Sequence, residues 1–400
     1  MPRNVRALAI IVAALLIVLF TTSPAYRLSA PALPVPTSSG LAAVAPAAPA
    51  PTMAARPALA APPAAAALPS EVPPQGQLAT TLDGYLNQLV SAGLFQGVVL
   101  VAHDGQVLLN RGYGYADAEQ HLANHALTRF QLASMTKPFT ALAIMQLQAR
   151  GLLGLQDSIC RYLDDCPVAW QPIVIRQLLN HTAGLPNYTD LAEFNDTQAQ
   201  PATPAELLQR FRDMPLLFTP GSRYMYENSD YVLLGMVIER VTGRRYAEAM
   251  RELIFDPLGM RDTGTDPSAP APAGAALGYN LPGERAPLLD PSNLFAAGAL
   301  YSTSQDLYRF DQALYTEQLL AQPLLDQIWT PGLGGYGYGW KIGSLDRHRK
   351  ISHPGRMDGF ASTIARFPDD RVSVIVLANM SAADTEGIAD YIATLVFGSV

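Results

Sequence analysis

Two apolar runs separated by Asp104-Gly105 near one end of the chain, and two more separated by Pro368-Asp369-Asp370 near the other, constrain the fold more than any other feature. Asp-Gly supplies the positive φ that a tight hairpin turn needs, so residues 98–101 and 107–109 read as paired strands. Residues 363–367 and 372–377 read the same way around their own turn. Leu82, Leu86 and Leu89 recur at helical spacing ahead of the first hairpin, in a helix ending near Gly93, and a last helix covers roughly 385–397. A mainly helical stretch from about Ser134 to Gly259 lies between. The order helix–hairpin, helices, hairpin–helix predicts an α+β protein whose two ends share one antiparallel sheet. The N- and C-terminal helices would flank that sheet, with a mainly helical lobe at roughly 134–290 inserted between its halves.

Proline marks where the folded unit begins. From Pro24 to Gln75 the chain is mostly Ala and Pro, and its only charged residues are Arg27, Arg56 and Glu71. Proline denies helix and sheet their N–H donors, and small side chains bury too little area to offset ordering entropy. Residues 26–76 therefore read as an extended linker, and 77–400 as the folded domain. Ahead of the linker, Arg3 and Arg6 precede an apolar run over residues 7–20. As a helix that run spans about 21 Å, short of a hydrocarbon core of about 30 Å. Residues 1–25 read as an export signal or a retained membrane anchor. Either places the domain outside the cytoplasm: secreted, periplasmic or tethered to the outer face of a membrane.

The chain of 400 residues carries a formal net charge of −7, which argues against a nucleic-acid partner, since phosphate binding needs a basic face. Two cysteines exclude a four-cysteine zinc site; in an exported protein Cys160 and Cys166 read as a local disulfide. His121 and His125 have helical metal-ligand spacing, but their surroundings are loop-like and no H-E-x-x-H pattern is present, so no metal is expected.

Ser134-Met135-Thr136-Lys137 is the tetrapeptide richest in chemical meaning. It opens a run, residues 139–147, that is apolar on nearly every side and marks a buried helix ended by Arg150 and Gly151. Residues three apart share a helix face, so Lys137 can reach the Ser134 hydroxyl. Of 27 basic residues only Lys137, Lys341 and Lys350 are lysines. A chain that otherwise uses arginine places beside this serine the one cation that can lose its proton. The bland alternative is a helix-capping serine with an incidental lysine. Tyr226-Glu227-Asn228 follows Pro220-Gly221 and enters a helix-like run, and His353-Pro354-Gly355 leads into the late strands. Each is weak alone: Tyr85-Leu86-Asn87 and His103-Asp104-Gly105 match the same patterns. The order S-x-x-K, Y-x-N, H-x-G before a C-terminal hairpin and helix strengthens all three.

With these motifs in that order the chain resembles the serine β-lactamase and penicillin-binding superfamily, above all its class C β-lactamase, DD-carboxypeptidase and esterase branch, over about residues 78–397. His181-Thr182-Ala183-Gly184-Leu185-Pro186 is similar to the family's H-T-S-G-L-P segment, Asp256-Pro257-Leu258-Gly259-Met260 to K-P-L-G-M, 297–303 to A-G-G-L-x-S-T and 336–340 to Y-G-Y-G-W. The resemblance implies a β-lactamase/transpeptidase-like fold with Ser134 as nucleophile and Lys137 and Tyr226 as the proton-transfer pair, their division of labour open. It makes Asn228 a group that orients a substrate amide, and the backbone N–H groups of Ser134 and Arg356 an oxyanion hole beside His353 and Gly355. Such donors lower a barrier by about 3 kcal/mol each. No cofactor is implied.

One departure bears on the substrate. The family's third motif often holds a substrate carboxylate with a hydroxyl, whereas Pro354 has neither hydroxyl nor N–H; Arg356 is the nearby cation that would replace the contact. The expected activity is hydrolysis of an amide or ester, a β-lactam or D-Ala-type peptide, through a Ser134 acyl-enzyme. The substrate would be a small molecule or short peptide, including one derived from a cell wall. The alternatives are an esterase with little action on β-lactams and a penicillin or peptidoglycan-peptide sensor that acylates without turnover.

Overall fold

The computed structural model describes residues 71–265 and 274–399. The expected export signal or anchor, and the Ala/Pro tract before residue 71, lie outside the described residues. The helix expected before the first hairpin is α1, Gly76–Ser91. Val72 ahead of it exchanges backbone hydrogen bonds with Asn110 at 3.0 and 3.3 Å. The hairpin follows as β1 (Gly97–His103) and β2 (Gln106–Tyr113). At its turn Asp104 and Gly105 take φ of 51° and 76°, as an Asp-Gly turn requires.

The middle of the chain is helical, with α2 (Lys137–Ala149), α3 (Asn228–Thr242) and α4 (Ser304–Ala313) as its longest helices. The interval between the sheet halves continues past 290, because α4 follows it and packs on β1. Four strands close the chain: β3 (Lys341–Leu345), β4 (His348–Met357), β5 (Phe360–Phe367) and β6 (Val372–Ala378), then α5 (Thr385–Phe397).

The six strands form one antiparallel sheet in the order β2-β1-β6-β5-β4-β3, so the two ends of the chain meet where Val99 faces Val376. Strands β1 and β6 are buried on both faces and almost wholly apolar, which is why they read as unbroken runs rather than as alternations. Val98 and Leu100 join the core shared with α2, while Val99 and Val101 join a second core with Leu82, Leu86, Ile388 and Ile392 of α1 and α5. The sheet is thus a slab between two helical layers. Strand β4, next to the last, pairs with β3 only from His348 to Ser352, so from His353 onward its side away from β5 has no strand partner.

Candidate active site

Ser134 lies in a 3-10 turn, Ala133–Thr136, that runs into α2, whose first residue is Lys137. The tighter turn stacks residues three apart directly over one another, which suits a Ser–Lys pair better than an α-helix would. Ala133, just ahead of the serine, is held at φ 48°, a left-handed conformation costly for a residue with a β-carbon. Its neighbour Leu132 is locked from both sides: Leu132 N–H donates to Leu300 O at 2.8 Å, and Leu132 O accepts from Ser362 Oγ of β5 at 2.7 Å.

Lys137 is fully buried. Its Nζ lies 3.1 Å from Ser134 Oγ, 2.8 Å from Asn228 Oδ1 and 3.0 Å from the carbonyl oxygen of Ala297. The last two groups can only accept. A neutral amine can give its two hydrogens to these acceptors and turn its lone pair to the serine hydroxyl, whereas an ammonium can donate to all three. Burial holds Lys137 well below the usual lysine range, against the upward pull of Asp230. The geometry allows, and burial favours, an amine able to take the Ser134 proton.

Tyr226 reaches the same place from the loop before α3. Its ring centroid is 4.7 Å from Lys137 Nζ, and its hydroxyl is buried without a full hydrogen bond. Burial raises this phenol's pKa, and the Ser134 hydroxyl beside it pulls the other way. Asn228 opens α3. Its amide is held at both ends, Oδ1 accepting from Lys137 and Nδ2 donating to Thr189 Oγ1 at 2.9 Å.

Strand β4 closes the site. His353 is buried, with Nδ1 2.6 Å from Pro354 O and Nε2 2.8 Å from the Tyr336 hydroxyl. A carbonyl only accepts, so Nδ1 carries the hydrogen and Nε2 receives the Tyr336 O–H. This tautomer is assigned from the hydrogen-bond network. Burial pushes the imidazole down to about 3, so His353 is neutral at ordinary pH. Gly355 faces the serine turn: a β-carbon there would lie 2.0 Å from Leu132 O.

The Arg356 side chain corrects an expectation. Residues alternate faces along a strand, and its guanidinium goes to the Ser381 and Ala383 carbonyls, at 3.1 Å for the latter. It therefore does not replace the missing carboxylate contact, and only its backbone N–H remains available for the expected role.

Cys160 and Cys166 form the expected disulfide, with a Cα–Cα distance of 5.2 Å. His121 packs its ring on Tyr115, and His125 Nδ1 accepts the Leu127 N–H at 3.2 Å. Three contributors to the site were not anticipated. Ala297 O completes the Lys137 partners, Thr189 orients Asn228, and Tyr336 engages His353. Ala297 and Tyr336 both lie in segments noted above for their resemblance, and that was the available signal.

Residues 80–397 match the family model described as Beta-lactamase. The chain is 32% identical over 320 residues to penicillin-binding protein 4* of Bacillus subtilis, covering 73% of this chain and 69% of that protein. The octameric penicillin-binding protein homologue from Pyrococcus abyssi superposes with a TM-score of 0.74 at 28% identity, over 80% of this chain and 77% of that one. The D-amino acid amidase of Ochrobactrum anthropi SV3, solved with L-phenylalanine, gives 0.72 at 26% identity, over 81% and 99%.

Proposed function

Because the chain belongs to the beta-lactamase family, a family of serine hydrolases, we propose that it cleaves an amide or ester bond by acylating Ser134. The contact between Ser134 Oγ and the fully buried Lys137 amine at 3.1 Å carries this reading, because burial favours the uncharged amine, which can accept the serine proton. Lys137 takes the Ser134 proton as Oγ attacks the carbonyl carbon. Tyr226, protonated and adjacent, relays a proton to the leaving group. The Ser134 and Arg356 N–H groups receive the developing oxyanion. Water then attacks the acyl-enzyme by the reverse proton path. The unpaired β4 edge offers backbone groups to an extended substrate.

A narrower reading concerns the substrate. Among the cations near the cleft, the Arg356 guanidinium is turned to Ser381 and Ala383, Lys341 pairs with Glu386 at 3.2 Å, and His353 is neutral. This supports a preference for substrates without a carboxylate beside the scissile bond, such as amino-acid amides and esters, over β-lactams and C-terminal D-Ala peptides. The disulfide and the basic-apolar N-terminus support an exported enzyme.

The test sets a fluorescent penicillin, D-alanyl-D-alanine peptides, D- and L-amino-acid amides and p-nitrophenyl esters beside Ser134→Ala. Turnover of amides or esters that is lost in Ser134→Ala is expected. Turnover unchanged in Ser134→Ala refutes the nucleophile, and rapid β-lactam turnover refutes the narrower reading.

A further inference from the structure

Behind the start of α3 lies a cluster that the scheme above does not use. Asn228 faces Lys137, whereas its neighbours Glu227 and Asp230 are buried at 1% and 0% exposure together with His181 at 0%. Asp230 Oδ2 lies 3.0 Å from His181 Nδ1. The backbone N–H of Glu227 points at the same nitrogen, at 3.2 Å. A backbone N–H only donates, so Nδ1 presents its lone pair. An ionised Asp230 would set a second lone pair against it. The hydrogen between the two side chains therefore belongs to Asp230, which is a neutral acid. His181 sits in a left-handed conformation, φ 58°.

We propose that His181 is a positioning residue: by accepting a hydrogen bond from Asp230 it keeps that acid neutral, and so keeps Lys137 an uncharged amine able to take the Ser134 proton. The inference rests on the reading of Ser134 and Lys137 given above. Asp230 and Lys137 feel one another's charge. A single proton on the pair gives either acid plus amine or carboxylate plus ammonium. Both forms have the same proton count, so the choice falls to the hydrogen bonds. Those of Lys137 accommodate either form, and those of His181 favour the acid, which decides between them.

The other groups packed around the pair add no competing charge. Glu227, with neither oxygen partnered, is pushed up by burial to about 8, next by the charge of Asp190. The phenols of Tyr226, Tyr231 and Tyr336 enclose the His181 ring at centroid distances of 4.4, 5.2 and 4.8 Å, and burial keeps them protonated. His353 is neutral for the reasons given. On acylation the Ser134 O–H bond breaks, its proton goes to Lys137 Nζ, the Oγ–carbon bond forms, and the proton leaves with the departing group.

His181→Phe removes the acceptor. Asp230 is then free to ionise beside Lys137, and the acid limb of kcat/KM moves up by about 1–3 pH units, the effect of an opposite charge nearby. His181→Phe/Asp230→Asn carries the same packing change without the acid, and its limb returns to the wild-type position. A limb unmoved in His181→Phe, or still displaced in the double variant, overturns the proposal. Should His181→Phe not fold, infrared difference spectra of wild type against Asp230→Asn decide. Loss of a protonated carboxylic-acid C=O band supports the proposal, and loss of carboxylate bands instead overturns it. That spectrum needs no substrate, so it can fail independently of the Ser134 assignment, which Ser134→Ala tests.

Discussion

A β-carbon placed on Gly355 would lie 2.0 Å from the carbonyl oxygen of Leu132 and 2.5 Å from Ser362 Oγ. Strand β4 thus touches the backbone of the serine turn, and the third motif needs glycine for steric reasons. Gly355→Ala must push β4 away from Ser134 and with it the Arg356 N–H. The expected result is a loss of stability of about 1–3 kcal/mol, as for overpacked cores. A fall in kcat/KM of about 100-fold or more should accompany it, since misplacement by 1 Å can cost that much. Urea unfolding and steady-state kinetics check both.

Much of this arrangement was legible in the chain. The Asp104-Gly105 turn, the late hairpin and the apolar residues of α2 depend on local periodicity and turn chemistry, which neighbouring residues carry. Ser134 and Lys137 were readable because one turn separates them. What sequence could not carry was contact between distant segments. The acceptor role of Ala297 belongs to its backbone, which no side chain advertises. The Arg356 side chain lay near the motif in sequence but on the other face of its strand. Tyr336 lay in a segment marked only by its resemblance, and its hydroxyl meets His353 Nε2 from 17 residues away. His181 and Asp230 meet across 49 residues.

Asn228→Asp places a carboxylate where Lys137 Nζ now finds an amide oxygen at 2.8 Å. An adjacent anion favours ammonium and should raise the lysine pKa by about 1–3 units. Activity at neutral pH is expected to fall by about 10–1000-fold and to recover as pH rises. A variant whose acid limb coincides with that of wild type would contradict the neutral-amine account.

Glu227 gives stability a pH dependence of definite sign. Burial raises its folded pKa from 4.5 to about 8. Between those values the folded protein holds a proton that the unfolded chain has lost, so stability falls as pH rises through this window. Glu227→Gln removes the titration. The variant should gain on wild type from about pH 4.5 upward, by on the order of a few kcal/mol near pH 8. Denaturant midpoints across that range are the measurement.

The disulfide closes a short loop whose Asp164 pairs with Arg240 at 2.6 Å. Cys160→Ser/Cys166→Ser should cost about 2 kcal/mol of stability by the loop-entropy estimate. No site residue lies within that loop, so kcat is expected to stay within about two-fold of wild type, a change worth less than 1 kcal/mol in the barrier. A large loss of kcat in folded protein would tie the loop to catalysis.

Intact-protein mass spectrometry after brief exposure to a p-nitrophenyl acyl ester, with peptide mapping, tests the central claim in wild type and Lys137→Arg. The account predicts a single acyl adduct on Ser134 in wild type. Its formation should slow by about 100- to 10,000-fold in Lys137→Arg, whose guanidinium stays charged and cannot act as the base. An adduct on another residue, or equal acylation rates in the two proteins, would contradict it.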